Sequence, residues 1–506
     1  MRTNNSLKNM ATGLISQGIG LVISFIVRMI FIKTLGTDYL GVNGLFSNIL
    51  TMLSLAEMGI GSAIVFTLYA PLANRDIPKI NQLMNFYKKI YIVIGSFVFF
   101  TGLCLVPFLE DLIKDTPNIP YLRTIYLLFL LQTVSSYFFA YRKSLISADQ
   151  KTYVLTIYYR VLDIILRIAQ VIMLILTRNY IIYLSLWVGM TIIENIIIAY
   201  KAHKMYPFLK EARGHSLDKE TKQEISKKAR ALVYYRIGGV LVGGTDNLII
   251  SRFVGIAYVG LFSNYVLITQ AIAGIIGQIF SSTTASIGNL NALEGKDKTF
   301  KIYTQMLFLN FWLVTFCSVS IWILSNPFIT LWLGPEFVFS PTTVLVIVIN
   351  FYISLSLQTT SIYRSVFGLF IHGKFVPLFQ AFINIVVSVG LAIQLGVIGV
   401  FLGTMISNLL TVFFAIPYYL YKYGFNKSVN DYFIRYFKYT IIALISAVLT
   451  TLLCNQIVEI TLTTLVIKGV ICLIIPNFIF ISCFCRTEEF KNLYELLKKL
   501  IQNGKI

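Results

Sequence analysis

Apolar side chains dominate the chain in long runs, and short polar, mostly basic segments separate these runs. Leu, Ile, Val and Phe fill stretches of about 20 residues, the length that a helix needs to cross about 30 Å of hydrocarbon. The alternating ten-residue segments that are typical of membrane β-barrels do not occur in the sequence. The pattern therefore predicts an all-α integral membrane protein with about fourteen transmembrane helices.

Composition supports this class. Of the 506 residues, 57% are hydrophobic and 13% are charged, and the mean hydropathy is +0.77. Arg2 and Lys8 precede an apolar run over 14–35, which is longer than the core of a signal peptide and is interpreted as a first, uncleaved membrane helix. The six cysteines and three histidines are scattered, so we expect neither a metal site nor a metal cofactor.

The basic residues predict the topology. Most of the 42 Lys and Arg residues fall in loops on one side when the N-terminus is placed inside. This bias predicts a multi-pass protein of the bacterial cytoplasmic membrane with both termini in the cytoplasm. The net charge of +20 is then charge on loops that face anionic lipid, and it needs no nucleic-acid partner.

One short phrase occurs twice. LGTDYLGVNGLFSN at 35–48 resembles VGIAYVGLFSN at 254–264, and three extra residues follow the second glycine of the first copy. We interpret each copy as an outer turn between the first and second helix of a six-helix half. Two halves that begin on the same membrane face are parallel repeats. Chance recurrence of a common turn phrase is the alternative.

This repeat divides the chain into predicted domains. They are two parallel-repeat six-helix bundles, a charged cytoplasmic linker between them, two further C-terminal transmembrane helices and an amphipathic cytoplasmic tail. Their predicted boundaries are 1–200 for the first bundle, 201–229 for the linker, 230–423 for the second bundle, 424–485 for the two extra helices and 486–506 for the tail.

Ionisable side chains inside the predicted spans are the candidate functional residues, because each costs about 2.5–3.5 kcal/mol to insert at a helix centre. They are Arg28, Glu57, Arg160, Asp163, Arg167, Glu194, Arg236 and Asp246. The arginines predict an anion-binding cavity. The acids predict either a site for a coupling ion, H⁺ or Na⁺, or ion pairs between helices.

The alternatives differ from residue to residue. Asp163 lies on one face of its span with Arg160 and Arg167, so the three residues form either a neutralised cluster or a cavity-facing cation. Arg236 either lines the cavity or extends to the interface. Polar residues expected to meet a hydrophilic substrate are Asn48, Asn264, Gln270 and Gln278.

Known catalytic and nucleotide-binding motifs, including the P-loop and the zinc-protease pattern, do not occur, so we expect a transporter and not an enzyme. A membrane glycosyltransferase or polymerase would need a large outer loop with catalytic residues. A non-transporting scaffold would leave the buried charges unexplained. A drug or cation antiporter would favour a cavity rich in acids and poor in arginine.

The stretch FIKTLGTDYLGVNGLFSNILTMLSLAEMGIGSAI at 31–64, followed by LYAPLANRDIPKINQLMNFYKKIY at 68–91, resembles the opening of bacterial polysaccharide exporters of the Wzx type. These exporters belong to the multidrug/oligosaccharidyl-lipid/polysaccharide (MOP) exporter superfamily. The resemblance implies a flippase for an undecaprenyl-pyrophosphate-linked oligosaccharide that works by alternating access and feeds polysaccharide polymerase machinery. It also implies that Arg28 contacts the pyrophosphate, and the predicted depths of Arg160, Arg167 and Arg236 in the membrane assign the same role to them. A lipid II flippase remains the alternative within the superfamily.

Overall fold

The computed structural model describes the helical framework of the chain. The described residues are 2–54, 57, 60–113, 119–138, 140–211, 217, 221, 223, 225, 243–281, 283–369 and 372–502. Within these ranges the regular structure is helical and no residue lies in a β-strand, as predicted for an all-α protein. The chain divides into two compact units, unit 1 (Met1–Gly260) and unit 2 (Leu261–Ile506).

Unit 1 is built from helices that pack around aromatic side chains. Its helices are α1 (Arg2–Leu35), α2 (Thr37–Leu53), α3 (Ile60–Asn74), α4 (Ile77–Leu105), α5 (Leu122–Tyr137), α6 (Ala140–Ala148), α7 (Thr152–Thr177) and α8 (Tyr180–Met205). The Phe46 ring of α2 contacts Phe129 of α5 edge-on at 5.9 Å, and Phe129 contacts Trp187 of α8 at 5.4 Å. These contacts fix α2, α5 and α8 against one another.

The linker begins immediately after α8. The Tyr206 hydroxyl donates a hydrogen bond to the Asp149 carboxylate at 2.8 Å, and the ring is buried. Burial, together with this carboxylate, raises the pKa of Tyr206 above its ordinary value. Asn81 at the start of α4 donates to the Phe208 carbonyl at 3.1 Å. The first residues of the linker are therefore attached to one end of unit 1.

Unit 2 carries the longest helices. They are α9 (Ile256–Ser281, which begins in unit 1), α10 (Thr284–Trp332), α11 (Pro341–Ser356), α12 (Gln358–Val366), α13 (Val376–Leu395), α14 (Val397–Leu410), α15 (Val412–Tyr419), α16 (Asn430–Cys454), α17 (Leu462–Phe484) and α18 (Glu488–Gln502). Trp312 of α10 donates to Asn477 of α17 at 2.7 Å, and Trp322 donates to Thr451 of α16 at 3.0 Å. The two C-terminal membrane helices are thus packed on α10.

The C-terminal tail forms the amphipathic helix α18. The ring of Phe490 lies over Trp312 at 5.9 Å, and Glu489 pairs with Arg435 at 2.6 Å. The apolar face of the first turns of α18 is therefore covered by other helices of unit 2.

Ten helices of the described residues are long and apolar enough to cross a membrane, or eleven if α5 and α6, which meet at a 45° bend, form one span. The predicted number of fourteen is not confirmed. The apolar runs over 42–68, 153–176 and 230–251 each predict one span. Span 42–68 is divided between α2 and α3, and the 17 residues of α2 extend only about 25 Å. Span 153–176 corresponds to α7, which carries three charged residues, and most of span 230–251 lies outside the described residues.

The predicted turn of the repeated phrase is confined to a single glycine in each copy, and the residues that follow this glycine begin a helix. Gly36 has φ +87° and ends α1, and helix α2 begins at Thr37. Gly255 in the second copy has φ +143°, and α9 begins at Ile256. Only glycine adopts such backbone angles readily, which explains why both copies keep a glycine at this position.

The other glycines of the phrase allow two helices to touch. A Cβ atom at Gly41 would overlap the Ile256 carbonyl, and a Cβ atom at Gly260 would overlap the Thr37 carbonyl. Small residues at a crossing let helix backbones approach closely. Within unit 1, the two copies of the phrase therefore pack directly on each other.

Candidate anion-binding site

The charged residues of α7 lie on one side of an otherwise apolar helix. An exposed stripe at helical spacing marks the opposite side, and it consists of Ile157, Val161, Ile165, Ile168, Ile172 and Ile175. Arg160, Asp163 and Arg167 follow one another at three and four residues and point away from this stripe. The sequence pattern of α7 thus separates a lipid-facing stripe from a charged face.

Asp163 bridges the two arginines of this face. Its carboxylate oxygens accept hydrogen bonds from Arg160 Nη1 at 2.8 Å and from Arg167 Nε at 3.2 Å. The side chains of Arg160, Asp163 and Arg167 are 23%, 31% and 35% exposed, so a ligand could reach them. One carboxylate between two guanidinium groups leaves the cluster with a net positive charge, because arginine stays protonated.

Helix α1 supports Arg160 in two ways. Arg160 Nε donates a hydrogen bond to the Ser16 hydroxyl at 2.8 Å. A Cβ atom at Gly20 would lie 2.7 Å from both terminal nitrogens of the same guanidinium. Ser16 and Gly20 therefore form a seat that fixes the direction of Arg160. Neither residue is predicted from the sequence, because the seat exists only once α1 packs on α7.

Arg28 of α1 extends the positive region. It is partly buried, and it lies within electrostatic range of Arg167 and of the Tyr183 hydroxyl on α8. Tyr183 also hydrogen-bonds with Arg167. Two guanidinium groups this close repel each other, and an anion placed between them would remove the repulsion. The structure thus brings Arg28, Arg160 and Arg167 together on α1 and α7.

The buried acids of unit 1 lie beside a lysine. Glu194 of α8 pairs with Lys143 of α6 at 3.1 Å, and both side chains are about four-fifths buried. Lys143 also lies over the Tyr159 ring at 4.9 Å. Glu57, between α2 and α3, hydrogen-bonds with Tyr137 and lies within electrostatic range of Lys143. The sequence predicts that Lys143 lies in a cytoplasmic loop. The signal that could have placed it in a helix is the amphipathic pattern of the short segment around it.

The remaining predicted residues that the structure describes lie on other segments of the chain. Asp246 is buried in unit 1 close to the end of a helical stretch over 243–249. In unit 2, Asn264 is fully buried, Gln278 is half-buried and Gln270 is exposed. Asn48 is partly buried in α2. Arg236 lies outside the described residues. Their predicted roles remain predictions.

No protein-family model matches this sequence, and no curated protein matches it. Solved structures, by contrast, share its fold. The lipid II flippase MurJ in an inward closed conformation aligns with a TM-score of 0.68 at 13% identity, over 93% of this chain and 98% of MurJ.

Two transporters of the MOP superfamily also align. An inward-facing multidrug resistance transporter of the MATE family gives a TM-score of 0.64 at 13% identity, over 79% of this chain and 94% of its own. A MOP superfamily transporter from Pyrococcus furiosus, described by a binding pocket of reverse polarity, gives 0.52 at 14% identity, over 84% and 97%. The chain therefore has the fold seen in MOP-superfamily transporters.

Proposed function

We propose that this protein is a flippase for a polyprenyl-pyrophosphate-linked oligosaccharide, and that it moves the repeat unit of a capsule, O-antigen or exopolysaccharide across the bacterial cytoplasmic membrane by alternating access. The observation that carries the proposal is the partly exposed pair of Arg160 and Arg167 bridged by Asp163, with Arg28 of α1 within electrostatic range of Arg167. The fold shared with a lipid II flippase supports transport of a lipid-linked substrate.

The chemistry of the group suits a pyrophosphate. A pyrophosphate carries several charged oxygens that hydrocarbon does not solvate, and guanidinium groups bind such oxygens through paired hydrogen bonds. Asp163 orients two of the arginines without neutralising all three. A cationic drug would be repelled by this region, which argues against a multidrug antiporter.

A depletion strain tests the proposal. Loss of the protein should leave a lipid-linked oligosaccharide on the inner leaflet, where a membrane-impermeant reagent does not reach it in intact cells. Mass spectrometry of this lipid identifies the glycan. Normal polymer assembly without such accumulation would contradict a flippase role.

Lipid II transport is a second candidate, and the fold of MurJ favours it. Proteoliposomes that contain either fluorescent lipid II or a polyprenyl-pyrophosphate oligosaccharide separate the two substrates. We expect the oligosaccharide lipid to be moved faster. Faster movement of lipid II would indicate that lipid II is the substrate and that the protein serves cell-wall synthesis.

The seat of Arg160 gives a matched test of the anion site. In Gly20→Ala the new methyl group should displace the flexible guanidinium of Arg160 and leave α1 intact, because alanine favours a helix by up to about 1 kcal/mol over glycine. We expect transport to fall several-fold at unchanged protein level. Gly18→Ala is the control on the same helix, since nothing lies within 4 Å of its Cβ position. Equal transport by both variants would show that Arg160 does not take part in the anion site.

Ion coupling is part of the proposal, and Glu57 is its candidate group. In Glu57→Gln, Lys143 keeps its partner Glu194, so the fold should persist while transport loses its dependence on pH or sodium. Unchanged dependence would exclude Glu57 from coupling. In Glu194→Gln the buried Lys143 loses its partner, and we expect stability to fall by about 3–5 kcal/mol. Adding Lys143→Met should recover much of that loss.

A further inference from the structure

A groove with one charged end opens on the surface of unit 2. Helix α14 ends at Leu410, and Thr411 leaves the helical conformation at φ −125° and ψ −87° before α15 begins. The groove beside this break is lined by residues of α13, α14 and α15 and of the start of α16. This groove has a volume of about 420 Å³, within the range of about 300–1,000 Å³ typical of ligand sites.

The lining of this groove is apolar and open to the surroundings. Val376 and Phe379 come from α13, Phe414 from α15 and Phe433 from α16. Phe379 is 64% exposed and Phe414 is 53% exposed. In a bilayer these rings face lipid tails and not water, so an acyl chain placed in the groove would be held by van der Waals packing against them.

Lysine side chains lie near the Tyr418 end of the groove. Lys422 Nζ donates to the Tyr418 hydroxyl at 2.7 Å, and Tyr418 lines the groove. Lys374 precedes Val376 and lies over the Phe375 ring at 4.9 Å. The nearby Lys427 is paired with Asp297 at 3.2 Å. Lys374 and Lys422 therefore supply the positive charge at the mouth of the groove.

A buried arginine holds this end rigid. Arg364 is 4% exposed, donates to the His372 carbonyl at 2.7 Å and lies over the Tyr419 ring at 5.8 Å. Tyr419 also lines the groove. The exposed Asp431 at the start of α16 lies at the same end, where it suits the positive N-terminus of that helix.

We propose that this groove binds one anionic glycerophospholipid, with an acyl chain along Phe379, Phe414 and Phe433 and the headgroup phosphate at Lys374 and Lys422. An apolar slot with a cationic mouth matches a molecule that has one charged end and one hydrocarbon end. The basic loops at this end are predicted to face the cytoplasm, where the leaflet is anionic. The site lies wholly in unit 2 and does not depend on the flippase proposal.

Native mass spectrometry of the full-length protein tests this site with phosphatidylglycerol as the probe. Wild-type protein should bind one phosphatidylglycerol and far less phosphatidylcholine. The Lys374→Gln/Lys422→Gln variant should bind phosphatidylglycerol roughly 30-fold more weakly, because each basic residue near an anionic headgroup favours binding. Ala415→Phe should fill the groove and remove binding. Lys491→Gln and the lipid-facing Leu444→Phe are the controls, and both should bind normally.

Three results would overturn the assignment. Equal binding by the groove variants and their controls would place the lipid elsewhere. Inorganic phosphate that displaces phosphatidylglycerol at millimolar concentration would show a site for free phosphate. A polyprenyl phosphate that outcompetes phosphatidylglycerol would show a groove for the substrate tail. Each outcome leaves the arginine site of unit 1 untouched.

Discussion

Replacing Arg28 by alanine is expected to abolish most surface polysaccharide assembly while the protein still inserts into the membrane. A partly buried guanidinium that pairs with a substrate phosphate contributes about 2–5 kcal/mol, so its loss should weaken substrate binding by roughly 30- to 5,000-fold. Arg28→Lys keeps the charge but loses the planar fork, and we expect an intermediate loss of about tenfold. Labelled-lipid flipping in proteoliposomes measures both effects.

Arg123→Ala provides the control for this experiment. Arg123 pairs with Glu110 at 3.1 Å, and both side chains are about three-fifths exposed, so its replacement should leave flipping unchanged. Wild-type polymer output from both Arg28 variants would contradict the proposal that the cationic site contacts the substrate. If Arg28→Ala loses flipping and Arg28→Lys keeps wild-type flipping, the positive charge at this position is sufficient.

Gly41→Val is expected to destabilise the protein strongly. The valine side chain would have to occupy the space of the Ile256 carbonyl, which belongs to a helix backbone and has little freedom to move. Overpacking of this kind costs about 1–3 kcal/mol or more. Thermal unfolding in detergent should show a lower midpoint and less folded protein.

Gly189→Val is the matched control, because Gly189 lies in α8 with nothing within 4 Å of its Cβ position. It carries the same change in helix propensity but no clash. Gly260→Val should resemble Gly41→Val, and the double variant should lose less than the sum, since both side chains open the same contact. Equal midpoints for Gly41→Val and Gly189→Val would contradict the packed crossing.

The sequence supported the fold class and the grouping of Arg160, Asp163 and Arg167, because both follow from spacing along single helices. The sequence could not predict the seat of Arg160, because this seat forms only where α1 packs on α7 and brings Gly20 beside the guanidinium. Lys143 shows the same limit: the basic residue looked like loop charge, and only the packing of α6 on α8 brings it to Glu194.

The repeated phrase shows why the separate roles of its glycines could not be predicted from the sequence. Gly36 and Gly41 look alike in the sequence, but Gly36 breaks the chain direction and Gly41 makes room for a neighbouring backbone. A glycine that permits an unusual backbone angle and a glycine that permits a close approach leave the same mark in a sequence. The structure assigns a different physical role to each.

The contact between the two copies of the phrase is reciprocal. Gly41 meets Ile256, Gly260 meets Thr37, and Ile256 and Thr37 occupy equivalent places in the two copies. Reciprocal contact between equivalent residues is the mark of an isologous interface, which forms between two identical subunits. Within unit 1 the phrase is therefore self-complementary, because each copy gives the space beside its glycine to the backbone of the other copy.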